Sequence, residues 1–171
     1  SYIGKIDNFK RPDIIFDIIN QAKINYDKLF ILFIGSKEVN YFNNQFYLKF
    51  QENSLKYKIN IMDEKEFDDL KRWYSASDIC IWPKQTTLSS IHAQVCKCTV
   101  IMEKHLSNVE RVLNNNNLYE IGNLSEATQI LERIINNGEY KKNYENPLND
   151  QLLTREYMNQ FQKLINIINE K

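Results

Sequence analysis

The sequence is poor in glycine and in clustered metal ligands, the residues that commonly mark nucleotide and metal sites. Only 4 glycines occur in 171 residues, and none forms a GxGxxG pattern after the first predicted strand or a Walker A loop. No group of His, Cys, Asp and Glu has the spacing of metal ligands. A classical dinucleotide enzyme, a P-loop enzyme and a metalloenzyme are therefore disfavoured.

Long apolar runs, excess charge and evenly paired cysteines are also missing. No run approaches the roughly 20 apolar residues that cross a bilayer, and 22 basic residues balance 22 acidic ones. A net charge of zero gives no overall field that would attract nucleic acid or an acidic membrane, so any anion site must be local. The 3 cysteines, Cys80, Cys96 and Cys98, predict reduced core thiols in a cytoplasmic protein.

Strand-like and helix-like patterns alternate along the chain. The unbroken apolar runs at 29–34 and 79–82 are typical of parallel strands covered on both faces. The alternation predicts an α/β fold with a doubly wound parallel sheet, Rossmann-like, over residues 1–150. Asp63 is predicted to cap the helix that starts near residue 67.

A further amphipathic helix is predicted at 151–171. It is expected to pack back on the domain or toward a missing N-terminal domain. The chain begins with Ser1 rather than methionine, so we expect it to be part of a longer protein.

In doubly wound sheets, ligands bind beyond the carboxyl ends of the strands. This rule selects five loops as the candidate site, at 7–11, 35–38, 62–64, 84–90 and 103–108. The first loop carries Lys5, Lys10 and Arg11 around Gly4, just before Pro12 opens a predicted helix. Ammonium and guanidinium groups beside free helix amides favour a diphosphate. The same residues also fit a solvated charged turn, which is what a charge run alone favours.

The loop after the fourth predicted strand is rich in polar side chains. They are Lys84, Gln85, Thr86, Thr87, Ser89 and Ser90. Hydroxyl groups ahead of a helix N-terminus predict a phosphate or sugar cradle, although a Ser89 or Ser90 N-cap explains half of them. His92 and His105 fit packing residues as well as ligand-binding ones. Glu110, placed at the start of the next helix, also fits a simple interaction with the helix dipole.

Five segments together resemble a known family. They are YIGKIDNFKRPD at 2–13, ILFIG at 31–35, FDDLKRWYSASDICIWP at 67–83, HAQVCKCTVI at 92–101 and Asn108-Val109-Glu110. In this order and spacing they resemble the C-terminal, donor-binding domain of family 4-type retaining glycosyltransferases, one half of the two-domain GT-B architecture. The resemblance spans nearly the whole chain.

The resemblance implies a function and roles for site residues. Lys5 and Lys10, near Gly4, would hold the donor pyrophosphate, and the base would lie against Met62 and Asp63. The sugar and ribose would contact residues of the later loops, namely Lys84, Thr86, Thr87, Ser89, Ser90, His92 and Glu110.

The implied reaction transfers a hexose from a UDP- or GDP-sugar, without a metal, to a glycan or lipid-linked acceptor held by the missing domain. It further implies cell-surface polysaccharide biosynthesis, with the full-length protein at the inner face of the membrane. Half a cleft cannot exclude water, so this chain is expected to be inactive alone.

The sequence departs from the family at several positions. The family's two glutamates, eight positions apart, are replaced: His92 stands at the second position, and Lys84 or Thr86 at the first. Lys97 replaces the usual glycine, and Thr99 replaces the usual proline. These changes leave open a catalytically degenerate GT-B-like domain that acts as a partner or regulatory subunit. A third reading is another phosphate-binding α/β domain, such as a sugar-phosphate epimerase-like module.

Overall fold

The protein was analysed as a computed structural model that describes residues 1–84 and 86–141. The predicted domain boundary at residue 150 and the predicted helix at 151–171 lie outside the described residues. Within them, strands and helices alternate as predicted. Their bounds are β1 (Tyr2–Ile3), α1 (Ile14–Gln21), β2 (Phe30–Ile34), α2 (Val39–Tyr41), a π-helical turn (Phe42–Phe46), α3 (Tyr47–Ser54), β3 (Lys58–Met62), α4 (Phe67–Ser75), β4 (Ile79–Trp82), α5 (Ser89–Val95), β5 (Thr99–Glu103), α6 (Leu106–Arg111), β6 (Leu118–Tyr119) and α7 (Leu124–Asn136).

All strand pairs are parallel and form two three-stranded units, β1-β2-β3 and β4-β5-β6. Backbone hydrogen bonds join the units beside β1: the amino group of Ser1 donates to the Ile79 carbonyl (2.6 Å), and the Ile81 amide donates to the Ser1 carbonyl (2.9 Å). The strand order is therefore 3-2-1-4-5-6, with the order reversing between β1 and β4. This confirms the predicted doubly wound, Rossmann-like sheet.

The core forms because the central strands are apolar on both faces. Phe33 of β2 is fully buried, and its ring lies 5.2 Å from that of Phe16 in α1 and 5.0 Å from that of Phe46. Trp82, at the end of β4, is also buried, and its indole N–H donates to the Ile3 carbonyl (3.0 Å). An indole buried in this way keeps its polar atom bonded. The contact fixes the end of β4 against the end of β1.

Three predicted helix starts are wrong. Leu88 rather than Ser89 or Ser90 occupies the N-cap of α5, and Glu66 rather than Asp63 precedes α4. Asp63 lies three residues before this N-cap, and its carboxylate accepts a hydrogen bond from the Lys37 ammonium (2.6 Å). α6 begins at Leu106, so Glu110 is its fifth residue and not its first.

In the part of the chain that the structure describes, no helix has the length and apolar character needed to span a bilayer.

Candidate functional site

The order of the strands reverses between β1 and β4, and in doubly wound sheets ligands bind at such a reversal, beyond the carboxyl ends of the strands. The loop after β1, residues 4–13, and the loop after β4, of which residues 83, 84 and 86–88 are described, follow the two strands at this point. We call them the β1 loop and the β4 loop.

The ends of β1 and β2 approach closely at two glycines. A Cβ atom built on Gly35 would lie 1.9 Å from the carbonyl oxygen of Gly4, which no real side chain permits. The Gly4 amide donates to the Ile34 carbonyl (2.9 Å), and the Gly35 amide donates to that of Met62 (3.2 Å). Glycine at position 35 therefore lets the backbones of neighbouring strands approach closely at the carboxyl ends of β1 and β2.

Lys10 reaches back over the end of β1. Its Nζ atom lies 3.8 Å from the position that a Cβ on Gly4 would occupy. The loop is folded for this by Asp7, whose carboxylate accepts hydrogen bonds from the Phe9 amide (3.1 Å) and the Lys10 amide (2.9 Å). A positive charge thus stands at the carboxyl end of the strand beside the reversal.

The other two cations of this loop are placed differently. The Lys5 side chain is 54% exposed, and its Nζ atom lies 3.9 Å from the Asp7 carboxylate. Arg11 binds within the protein: its Nε and Nη2 atoms donate to the two oxygens of Asp13 (2.8 and 2.9 Å). Arg11 is therefore committed to Asp13, unlike Lys5 and Lys10.

Asp13 is fully buried at the start of α1. Besides Arg11, its carboxylate accepts a hydrogen bond from the Tyr41 hydroxyl and lies 3.1 Å from the Lys49 ammonium. Burial on its own would raise the pKa of Asp13, but the hydrogen bonds from Arg11, Tyr41 and Lys49 outweigh it and lower that pKa to about 2. The hydrogen bond to Asp13 also raises the pKa of Arg11.

The loop after β3 carries the residues predicted to face a base. Met62, the last residue of β3, is half-buried, and Asp63 is exposed. The Lys37 ammonium bonds the Asp63 carboxylate (2.6 Å) and lowers its pKa. This ion pair joins the loops that follow β2 and β3, and it leaves the backbone of Met62 beside Gly35.

The β4 loop is organised by hydroxyl groups. Thr86 Oγ1 hydrogen-bonds with Ser107 Oγ (2.5 Å), which ties this loop to α6. Thr87 Oγ1 accepts from the Ser89 amide (3.2 Å), and the buried Ser90 hydroxyl donates to the Thr87 carbonyl (2.7 Å). Lys84 is exposed at the beginning of the loop. Thr86, Thr87 and Ser89 lie half-buried at the rim, whereas the hydroxyl of Ser90 is used inside the turn.

His92 is half-buried on α5, and its ring meets that of exposed Phe67 edge-on at 5.2 Å. Glu110 is exposed on α6. His105 Nε2 hydrogen-bonds with Glu103 Oε2 (3.0 Å), as expected of a histidine with a structural contact. The binding roles predicted for His92 and Glu110 stay predictions.

Three carboxylates that the sequence did not single out organise these loops. Asp7 and Asp13 hold the β1 loop, and buried Glu103 at the end of β5 accepts from the Gly122 amide (3.0 Å). An Asp-Asn pair at 7–8 is a turn signal that would have indicated Asp7. Asp13 had no such signal, because Tyr41 and Lys49 lie far from it in sequence. Among residues 1–84 and 86–141, no group of three or more His, Cys, Asp or Glu could hold a metal ion.

No protein-family model and no curated protein matches the chain. Solved structures do match. HepE of Anabaena, in complex with UDP and glucose, superposes with a TM-score of 0.74 over 99% of this chain and 48% of its own, at 14% identity. The catalytic domain of cholesterol-alpha-glucosyltransferase from Helicobacter pylori gives a TM-score of 0.67 over 84% of this chain and 92% of its own, at 12% identity.

Sucrose-phosphate synthase from Thermosynechococcus elongatus gives a TM-score of 0.64 over 98% of this chain and 46% of its own, at 13% identity. The chain thus spans 48% of HepE and 46% of the synthase. Similarity at this level of identity concerns architecture. The chain has the fold of a Rossmann-like domain of the GT-B glycosyltransferases.

Proposed function

We propose that this chain is the donor-binding domain of a retaining glycosyltransferase that transfers a hexose from a nucleoside diphosphate sugar to a glycan or lipid-linked acceptor. The observation that carries the proposal is the Lys10 ammonium beside Gly4, at the reversal of strand order. The likeness to HepE, which has been solved with UDP and with UDP-glucose, supports a nucleotide-sugar donor. The acceptor belongs to a second domain, as does part of the cleft.

The chemical task of such a site is to stabilise the charge that grows on the departing diphosphate. Lys10 supplies a positive charge at the end of β1, on a loop that Asp7 already holds, and preorganised charge is more effective than charge that must rearrange during the reaction. Lys5 supplies a second ammonium on the same loop, still exposed and therefore able to turn toward a ligand. Together they provide the countercharge, so the proposal requires no metal.

The remaining predicted residues have places in this proposal. The base lies against the backbone near Met62 and Asp63. Because these contacts are made by the backbone, the side chains there do not indicate whether the nucleotide is UDP or GDP. His92 bonds a ribose hydroxyl and Glu110 lies near it. The sugar lies against the β4 loop, where Lys84, Thr86, Thr87 and Ser89 offer an ammonium and hydroxyl groups, and Ser90 supports the turn from within.

Calorimetric titration with UDP, GDP and UDP-glucose tests the proposal. We expect micromolar to millimolar binding of one nucleotide. Lys10→Met should weaken it about 10- to 100-fold, because a hydrogen bond to a charged group contributes about 1.5–3 kcal/mol. Lys56→Met, the same change at an exposed residue of the loop before β3, is the matched control and should bind like the parent chain.

Absence of binding to every nucleotide would contradict the proposal and favour a partner or regulatory subunit instead. If Lys10→Met and Lys56→Met weaken nucleotide binding equally, the effect comes from the net charge of the chain and not from the position of Lys10. Hexosyl transfer itself is to be measured only with the second domain present, since this chain is expected to be inactive alone.

A further inference from the structure

The β1 loop contains a backbone conformation that its sequence disfavours. Arg11 has φ 46°, in the left-handed region. Arg11 and Lys97 are the non-glycine residues with positive φ in the described parts of the chain. A side chain with a Cβ atom adopts this region only when its surroundings hold it there. Something in the loop must therefore hold Arg11.

The contacts of Arg11 identify what holds it. Its amide donates to the Asp7 carbonyl (3.0 Å), which closes the turn that contains Lys10. Its guanidinium makes a two-point contact with Asp13, the planar match between guanidinium and carboxylate. Arg11 is thus fixed at both its backbone and its side chain.

Asp13 is itself anchored to a different part of the fold. The Tyr41 hydroxyl bonds its carboxylate, and the Asp13 amide donates to the Tyr41 oxygen (3.3 Å). The Lys49 ammonium lies 3.1 Å from the second carboxylate oxygen and also bonds Asp17 (2.6 Å). Tyr41 and Lys49 stand on α2 and α3, the helical segment that follows β2. Asp13 therefore connects the β1 loop to a packed helix.

Lys10 lies immediately before Arg11, and the direction of the chain at Arg11 decides where Lys10 points. We propose that Asp13 is a positioning residue: by holding Arg11 in the left-handed region it keeps the Lys10 ammonium above Gly4, ready for a diphosphate. This inference rests on the proposed function as far as the ligand is concerned. It assigns no contact between Asp13 and the donor.

The proposal predicts that glycine at position 11 restores UDP binding in a chain that lacks the Asp13 carboxylate. Glycine adopts the left-handed region without help, so a loop with Arg11→Gly no longer needs Asp13. Four forms of the 171-residue chain are compared: the parent, Asp13→Asn, Arg11→Gly and the double variant. UDP affinity is measured by calorimetry, and folding by circular dichroism.

Asp13→Asn should weaken UDP binding about 10-fold, whereas Arg11→Gly and the double variant should both stay within about 3-fold of the parent. A merely structural role of Asp13 would lower the melting temperature without this rescue. Equal affinities of Asp13→Asn and the parent, or a double variant as weak as Asp13→Asn, would overturn the inference. If Asp13→Asn does not fold, Tyr41→Phe removes one anchor of Asp13 and takes its place, with about 3-fold weaker binding expected.

A second measurement needs no ligand. Hydrogen exchange of the Lys10 and Arg11 amides reports the turn directly, because both amides bond Asp7. In Asp13→Asn we expect both to exchange about 10-fold faster while the amides of β2 keep their protection. Unchanged exchange at both amides would overturn the inference. If the parent chain binds no nucleotide, the proposed function fails, and the exchange experiment still decides whether Asp13 holds the loop.

Discussion

The β1 loop and the turn that ends α5 each contain a non-glycine residue in the left-handed region, but they hold it by different means. Arg11 is held by its side chain, through the two-point contact with buried Asp13. At Lys97 two backbone hydrogen bonds close the turn: the Cys98 amide donates to the Ala93 carbonyl (2.9 Å) and the Lys97 amide donates to that of Gln94 (2.9 Å). This is the Schellman pattern, in which glycine is usual at the position of Lys97.

The comparison shows what the side chain contributes in each region. At the α5 turn two backbone hydrogen bonds close the turn, and every residue with a Cβ atom suffers the cost of the left-handed region. In the β1 loop the side chain supplies the stabilisation. The contact with Asp13 therefore gives the arginine at position 11 a structural role, whereas Lys97 stands where the backbone prefers glycine.

The largest expected effect is on Asp13. Asp13→Asn should lower the free energy of unfolding at pH 7 by about 3–5 kcal/mol, because it removes the buried carboxylate that Arg11, Tyr41 and Lys49 all bond. Denaturant titration of the parent and the variant measures this. A loss below 1 kcal/mol would show that the carboxylate is not the group that holds this region together.

The same group predicts how stability depends on pH. The pKa of Asp13 is about 2 in the folded chain against 3.8 ordinarily, so it stabilises the fold at pH values above the ordinary pKa. The lowered pKa corresponds to about 2 kcal/mol of the free energy of unfolding. This contribution is lost as the pH falls from about 4 through 2. Urea titrations at pH 5, 3 and 2 should show the loss in the parent and not in Asp13→Asn. Parallel curves for the two proteins would contradict the lowered pKa.

Glycine substitutions should give opposite results in the two regions. Arg11→Gly should lower the free energy of unfolding by about 2 kcal/mol, since the contact with Asp13 is lost although the backbone is relieved. Lys97→Gly should be about 1 kcal/mol more stable than Lys97→Ala, because both lack the side chain and only alanine suffers the left-handed cost. Thermal or denaturant unfolding measures both. A Lys97→Gly variant no more stable than Lys97→Ala would show that the turn carries no such cost.

How far the sequence predicts the molecule differs between the fold and the site. The runs 29–34 and 79–82 predicted β2 and β4 because a strand covered on both faces must be apolar throughout. Gly138 follows the C-cap Asn137 of α7 with φ 64°, in the left-handed region where glycine is usual after a helix. These features depend on local periodicity and on backbone conformation, so a single segment determines each of them.

The site depends on contacts between distant segments. Lys10 was predicted from its place in a loop after a strand, but the group that holds that loop, Asp13, has partners 28 and 36 residues away, at Tyr41 and Lys49. The wrong helix start at α5 has a local cause. Ser89 or Ser90 was predicted as the N-cap, yet the Ser90 hydroxyl donates to the Thr87 carbonyl and Leu88 occupies the N-cap.

The smallest expected effect concerns the hydroxyl contact of the β4 loop. This contact is between two neutral groups, whereas the β1 loop is held by the buried carboxylate of Asp13. Thr86 of this loop and Ser107 of α6 are hydrogen-bonded to each other (2.5 Å). Thr86→Val and Ser107→Ala should each lower the free energy of unfolding by about 0.5–1.5 kcal/mol, the net contribution of a neutral hydrogen bond. Each substitution removes the same hydrogen bond. The free energy of unfolding of the double variant should therefore be no lower than that of the less stable single variant. Additive losses would instead place each hydroxyl with a separate partner, and the β4 loop would then be independent of α6.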